Sequence, residues 1–251
     1  MFAVLLYHGI EDGTPSPRQM DDVDREYVFD RSRFEAHVAY LGAKPAGSIP
    51  VVISFDDGDL SGHTTAAPLL ERHGLHGQFF VVSRWIGQPG FMNADQLRDL
   101  VRRGHGVHSH SRTHARLSSL SAAEIDDEVQ GSRTDLETIL GQPVTQFSIP
   151  GGAYDSRVIE SARRAGYHTV FSSVEGYNDR NSEFLRRRFT PRAYSDVAML
   201  REICEHPART KARIALKQTA LTAARSLIGE SRYQRLRGRL VAALKGPRYG
   251  S

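Results

Sequence analysis

A single cysteine, Cys204, leaves the chain without any internal disulfide framework. No run of apolar residues is long enough to cross a bilayer. Aromatic residues are sparse at 8%, with one tryptophan, Trp85. The opening stretch MFAVLLYHGIEDG lacks the basic flank and the apolar length of a secretory leader, so a cytoplasmic location is the expectation. Internal repeats and low-complexity tracts are missing too. What remains is a chain of 251 residues, 39% hydrophobic, able to bury a core as one barrel-sized domain with or without an appendage.

Acidic charge is scarce in one place only. From Arg209 to the end there are 11 Lys and Arg against 1 Asp or Glu, leaving 22 of the chain's 33 basic and 28 of its 29 acidic residues elsewhere. A mildly acidic body with a basic tail does not fit a nucleic-acid enzyme, whose positive charge should line its site. No nucleic-acid partner is expected. The division falls at residues 1–208 for the body and 209–251 for a helical extension.

The body is organised around Val51–Gly58, VVISFDDG. Val51, Val52 and Ile53 are β-branched and Phe55 is aromatic, which reads as a buried strand. Two adjacent carboxylates, Asp56 and Asp57, end it. Like charges side by side are costly unless a cation lies near them, and a divalent metal meets that need. An ordinary Asp-Asp-Gly turn is the other reading.

Around this strand, apolar runs alternate with helical patterns. Strands are expected at Ala3–Tyr7, Gln78–Val82, Gln146–Ile149 and Thr169–Phe171. Helices are expected after the Asp30 cap (apolar at Phe34, Val38 and Leu41), over Pro68–His73, Ala94–Arg103 and Val158–Ala165, and from Ser121 to about Leu140. Asn93 with Gln96 and Ser121 with Glu124 have the spacing of capping boxes. Residues 11–26 and Arg186–Arg188 read as polar loops. The alternation argues an α/β barrel or a doubly wound sheet.

A second constellation is HSHSRTH, with His108, His110 and His114. His110 and His114 are four apart, so on a helical turn they would share a face and could share a metal. Three protein ligands of this kind leave room for water on zinc. The other histidines (His63, His73, His76, His105, His168, His206) read as solvated or locally bonded.

Residues 51–154 resemble the polysaccharide deacetylases of the NodB-homology type, carbohydrate esterase family four. The family's Thr-Phe-Asp-Asp-Gly motif stands here as SFDDG, Ser54–Gly58, and its His-Ser/Thr-x-x-His motif as HSRTH, His110–His114. The resemblance implies a distorted (β/α)7-type barrel with a metal at the strands' C-terminal mouth. Asp57, His110 and His114 would be its ligands, with zinc the best match to the donors, although cobalt, nickel or iron accept the same set. Asp56 would be the catalytic base, and the amide of Gly151 would help hold the oxyanion.

The sequence departs from the family in three places. Where the third motif often carries an arginine, the chain has Ser148-Ile149-Pro150-Gly151-Gly152, and Arg192 in FTPR is the candidate to reach Asp56 instead. The tryptophan motif is not evident, Trp85 lying elsewhere. The late Leu-x-x-His motif has no match, but Leu5-Leu6-Tyr7-His8 stands at the N-terminus, as in circularly permuted branches that resemble poly-N-acetylglucosamine deacetylases. A barrel closes on itself, so its first strand can take the place of a last one, and His8 would then protonate the leaving amine.

The activity so implied is removal of the N-acetyl group from an amino sugar in a polysaccharide or lipid-linked glycan precursor. A non-sugar amide is an alternative substrate, since fold and metal do not fix it. A non-catalytic glycan-binding relic is another, suggested by Ser148 and the missing tryptophan motif, although a pure binder would need no base at Asp56. In the tail, Lys211–Ile228 is helix-prone, and a second helix from Ser231 would align Tyr233, Leu236, Leu240, Val241 and Leu244 among arginines. Such a helix suits an anionic membrane surface, or packs on the barrel or on a second subunit.

Overall fold

The apolar runs become short strands in a computed structural model that describes residues 1–13, 25–179 and 184–228, with side chains to residue 222. Among the described residues these strands are β1 (Ala3–Tyr7), β2 (Ile10–Glu11), β3 (Phe29–Asp30), β4 (Val51–Phe55), β5 (Gly77–Val81), β6 (Gly106–Ser109), β7 (Gln146–Ser148), β8 (Thr169–Phe171) and β9 (Leu185–Arg186). Seven of them form one parallel sheet in the order β1-β4-β5-β6-β7-β8-β9. β2 and β3 make a separate parallel pair, within a region whose sequence reads partly as loop. The longest ladder sets Ala3 beside Val51 and Tyr7 beside Phe55.

The sheet curls until its ends meet. Just beyond β9, the Phe189 amide donates to the Val4 carbonyl (2.8 Å) and its own carbonyl accepts from the Leu6 amide (2.8 Å). The N-terminal strand therefore stands between the strand of the Asp-Asp motif and the end of the last strand. The fold is a curled parallel sheet closed into a distorted barrel, as the resemblance implies.

Alternate residues on the strands serve two cores. Inward, Val4, Phe80 and Phe171 form a buried cluster edged by Phe2 and Val52. Outward, Tyr7 meets Phe29 and Phe34 edge-on, each at 5.2 Å, and Phe55 stacks on Phe79 at 4.8 Å. Each such side chain contributes about 1.5–3 kcal/mol on full burial, so the two faces together dominate the fold's stability. Residues buried on both faces explain why the strands read as near-continuous apolar runs.

Among the described residues the helices are α1 (Arg31–Ala43), α2 (Ala67–Arg72), α3 (Ala94–Arg102), α4 (Ala122–Asp126), α5 (Ser132–Leu140), α6 (Ser156–Arg164), α7 (Val197–Glu205) and α8 (Pro207–Ile228). Asp30 caps α1 by accepting the Ser32 and Arg33 amides, and both capping boxes form, at Asn93/Gln96 and Ser121/Glu124. α4 and α5 are one rod, joined through a π turn at Asp127–Gly131 whose ends stay in the helical region.

By contacts the chain divides into two units, Met1–Pro207 and Ala208–Ser251. In the second, α8 covers the helix-prone Lys211–Ile228 segment, and every residue from Ala215 to Thr222 is exposed. The helix expected from Ser231 lies outside the described residues. No helix among them is long and apolar enough to cross a membrane.

Candidate metal centre and active site

Parallel strands bring their C-terminal ends to one mouth, and that is where the polar residues gather. β1 delivers His8, β4 delivers Asp56 and Asp57, β6 delivers His110, and β7 ends on Ser148. The ligand atoms of Asp57, His110 and His114 all lie within 4.8 Å of one another, the one such His, Cys, Asp and Glu group among the described residues. Both imidazole Nε2 atoms stand 3.5 Å from Asp57 Oδ1.

The donor chemistry fits a divalent cation. His110 Nδ1 is 2.9 Å from the Ser148 carbonyl, which can only accept, so Nδ1 donates there and Nε2 is the nitrogen that faces Asp57. Two imidazole nitrogens and a carboxylate are ordinary ligands for zinc and its neighbours.

The histidine pair comes together by another route than the helical one expected. Ser111 and His114 both have positive φ, 65° and 66°, and the segment is a loop. The Ser111 hydroxyl accepts the His114 amide at 3.1 Å, and the two imidazole centroids stand 5.1 Å apart. Asp57 is also in the left-handed region, at φ 75°. Non-glycine residues held there cost of order 1–3 kcal/mol each, and three of them at one site mark a backbone shaped for its side chains.

Asp56 is buried and points away from solvent into a cage of donors. Arg188, itself fully buried, donates Nη1 to Oδ1 at 2.8 Å and Nη2 to Oδ2 at 2.9 Å. The Ser148 hydroxyl donates to Oδ2 at 2.9 Å and accepts from Arg188 Nη2 at 2.8 Å. Arg188 Nε donates to the Ser172 carbonyl, and the guanidinium lies 5.9 Å over both Phe80 and Phe171. Burial alone would raise the Asp56 carboxyl; the Arg188 charge, the His110 ring, the Arg188 hydrogen bonds and His8 outweigh it and hold the group well below the usual carboxylate range.

Arg188, not Arg192, is thus the arginine that reaches Asp56. Pro191 interrupts the extended segment, and Arg192 turns to Glu26, its Nη1 2.5 Å from Oε2. Its guanidinium covers the Tyr27 ring at 4.4 Å, and the His8 ring stands 5.0 Å from that same ring. Arg192 therefore neighbours His8 through Tyr27 instead of touching Asp56. Gly151 lies in the Pro150–Gly152 turn leaving β7 at the same mouth, at φ 60°.

Two residues of the site were not read from the sequence. Arg188 sits in a run of three arginines that looks solvated, and only its alternation with Phe189 hints that it faces inward. Trp85 stacks on the metal-ligand candidate His114 (5.2 Å, 28°) and is backed by Phe91 at 4.9 Å.

With this geometry in hand, comparison with known proteins is decisive for the family. The family model described as polysaccharide deacetylase matches residues 43–170, just over half the chain. The chain belongs to the polysaccharide deacetylase family. Among curated relatives it is 30% identical over 138 residues to the Bacillus subtilis peptidoglycan-N-acetylmuramic acid deacetylase PdaA, covering 54% of this chain and 50% of that one. It is 23% identical over 185 residues to YxkH of the same organism, covering 71% and 66% respectively. The chain thus spans about half to two thirds of the length of these relatives. The fold matches the Streptococcus pyogenes deacetylase PplD with a TM-score of 0.68 at 17% identity, covering 79% of this chain and 96% of that one. It also matches IcaB from Ammonifex degensii with a TM-score of 0.63 at 21% identity, covering 75% and 91%.

Proposed function

We propose that this polysaccharide deacetylase family member hydrolyses the N-acetyl group of an amino sugar within a polysaccharide or a lipid-linked glycan precursor. The observation that carries the reading is the meeting of Asp57, His110 and His114 beside a second aspartate, Asp56, that is held separately. In this reading those three residues hold one divalent metal, zinc by preference. Such an ion supplies Lewis acidity toward a carbonyl oxygen and makes bound water a better nucleophile.

The chain's own residues divide the remaining work. Arg188 and Ser148 keep Asp56 ionised and aimed, so the base is in its proton-accepting form throughout the physiological range. Its lowered basicity is the counterpart of that readiness. His8 protonates the departing amine, held by its ring contact with Tyr27. The Gly151 amide serves the developing oxyanion. PdaA acts, by its name, on peptidoglycan N-acetylmuramic acid, and a chitooligosaccharide deacetylase is also among the relatives. These support a polymeric N-acetylated glycan as the substrate class.

For location, the reading puts the enzyme at the inner face of a membrane, brought there by its basic tail; the exposed stretch of α8 and the excess of Lys and Arg beyond Arg209 support it. Acetate release from a panel of acetylated glycan oligomers tests the activity. Asp56→Asn should lower turnover by about 10²–10⁴-fold, and wild-type protein inert on every sugar but active on simple amides would refute the substrate class. Binding to anionic but not neutral vesicles at low salt, lost on deleting residues 209–251, tests the tail.

A further inference from the structure

Between the two histidines of the candidate centre lie Ser111, Arg112 and Thr113, whose amides and carbonyls tie the loop to two neighbouring segments. The Arg112 and Thr113 amides both donate to Glu128 Oε2, each at 2.9 Å, and the Thr113 hydroxyl donates to Oε1 at 2.5 Å. On the other side, the Ser111 carbonyl accepts from the Ser83 amide (3.1 Å) and the Arg112 carbonyl from the Arg84 amide (3.0 Å). Those last two bonds carry the segment that lays Trp85 on His114.

Glu128 is buried, 7% exposed, and both its carboxyl oxygens are held by these three donors. It sits in the π turn between α4 and α5, which puts the carboxylate on the side of the rod facing the loop. Arg112 fastens the same rod from outside, through Asp127 and Asp135. The loop in turn holds two residues at unfavourable positive φ, Ser111 and His114, a conformation that persists only where surrounding bonds outweigh its cost. His110 has its own anchor in the Ser148 carbonyl. The position of His114 comes through the loop.

We infer that Glu128 is the positioning residue for His114: bonded to the Arg112 and Thr113 amides, it sets the strained loop that turns this imidazole toward Asp57. The inference rests on the metal reading proposed above. Glutamine at the position keeps an acceptor for the two amides, and its amide group can donate to the Thr113 hydroxyl. Alanine keeps neither.

The test uses the full chain as wild type, Glu128→Ala, Glu128→Gln and Thr113→Val, with Glu124→Ala as a control that weakens the α4 cap without touching the loop. Zn2+ affinity is measured by calorimetry, ligand geometry by the visible absorption of the Co2+ form, and apoprotein stability by thermal melting. Glu128→Ala is expected to weaken Zn2+ binding by roughly 10–100-fold and to alter the Co2+ band. Glu128→Gln should restore most of the affinity, Thr113→Val should show a smaller loss, and Glu124→Ala should move only the melting temperature. The inference is overturned if Glu128→Ala binds Zn2+ as wild type does with an unchanged Co2+ spectrum, or if Glu128→Gln does no better than alanine. Should alanine prevent folding, wild-type affinity in Thr113→Val overturns it equally. Wild-type protein that binds neither ion overturns the metal reading itself, and this inference with it.

Discussion

Arg188 grips both carboxylate oxygens of Asp56, at 2.8 and 2.9 Å, across 132 residues of sequence. The bond joins the strand after which the Asp-Asp motif stands to the segment that closes the sheet. Where the family often carries an arginine two residues before Pro150 the chain has Ser148, and the guanidinium arrives instead from the segment beyond β9, two strands along the sheet. The base is served by the same chemistry from a different element.

Arg188→Met should therefore strand a buried carboxylate. We expect a loss of about 3–5 kcal/mol in unfolding free energy, the usual penalty for removing one partner of a buried pair. Asp56→Asn added to Arg188→Met should recover much of it. A double-mutant cycle by urea unfolding measures this, and additive effects would refute the coupling.

Ser148→Arg, which rebuilds the family's usual third motif, should not improve the enzyme. Ser148 is fully buried, its hydroxyl already bonded to both Asp56 and Arg188, and a second guanidinium would have no room. Stability and acetate release should both fall, by an overpacking cost of about 1–3 kcal/mol for stability. Ser148→Ala should lose only about 1 kcal/mol.

Protonation of His37 should set a limb of the stability curve. This residue of α1 is fully buried, bonded at Nδ1 to the Tyr7 hydroxyl (3.0 Å) and at Nε2 to the Ser195 carbonyl (3.1 Å). The carbonyl can only accept, so the neutral ring donates from Nε2 and accepts the Tyr7 O–H at Nδ1, whereas a charged ring donates at both nitrogens and removes that acceptor from the Tyr7 hydroxyl proton. Burial lowers its pKa from 6.5 to about 4. Because the folded value is the lower one, the stabilisation is complete above about pH 6.5 and is lost as pH falls toward 4. The whole interval is worth ~3 kcal/mol by linkage. Comparing chemical unfolding of wild type and His37→Gln at pH 7.5 and 4.5 checks it. The wild type should lose more, while half-buried His108, also lowered to about 4, acts equally in both.

His8→Ala should lower kcat by roughly 10²-fold with little change in KM, as expected for a proton donor to the leaving group. Steady-state kinetics on an acetylated oligomer decides it. A rise in KM at constant kcat would make His8 a binding residue instead.

Much of this was legible in residue patterns, for stated physical reasons. An apolar run gave β1 its bounds and a β-branched one marked β4, and paired polar residues at capping spacing marked the starts of α3 and α4. The Asp-Asp and His-x-x-x-His motifs pointed to residues the fold does bring together. What the residues did not reveal depends on dihedral angles and distant partners. The left-handed backbone at Ser111 and His114 is not written in residue type, so spacing suggested a helical turn where a loop exists. Arg186, Arg187 and Arg188 look alike in sequence, yet only the last is fully buried, because alternation at the end of the sheet turns it inward onto Asp56. Trp85 found its place only through the hydrogen bonds that tie residues 83 and 84 to the histidine loop.

The most direct measurement is the divalent-metal content of purified protein, by plasma emission spectroscopy, after incubation with Zn2+ and removal of the excess. Wild type should retain about one ion per chain, and His110→Ala should retain none, with its fold intact by circular dichroism. Wild type recovered empty, or a variant that keeps the ion without this imidazole, would contradict the account.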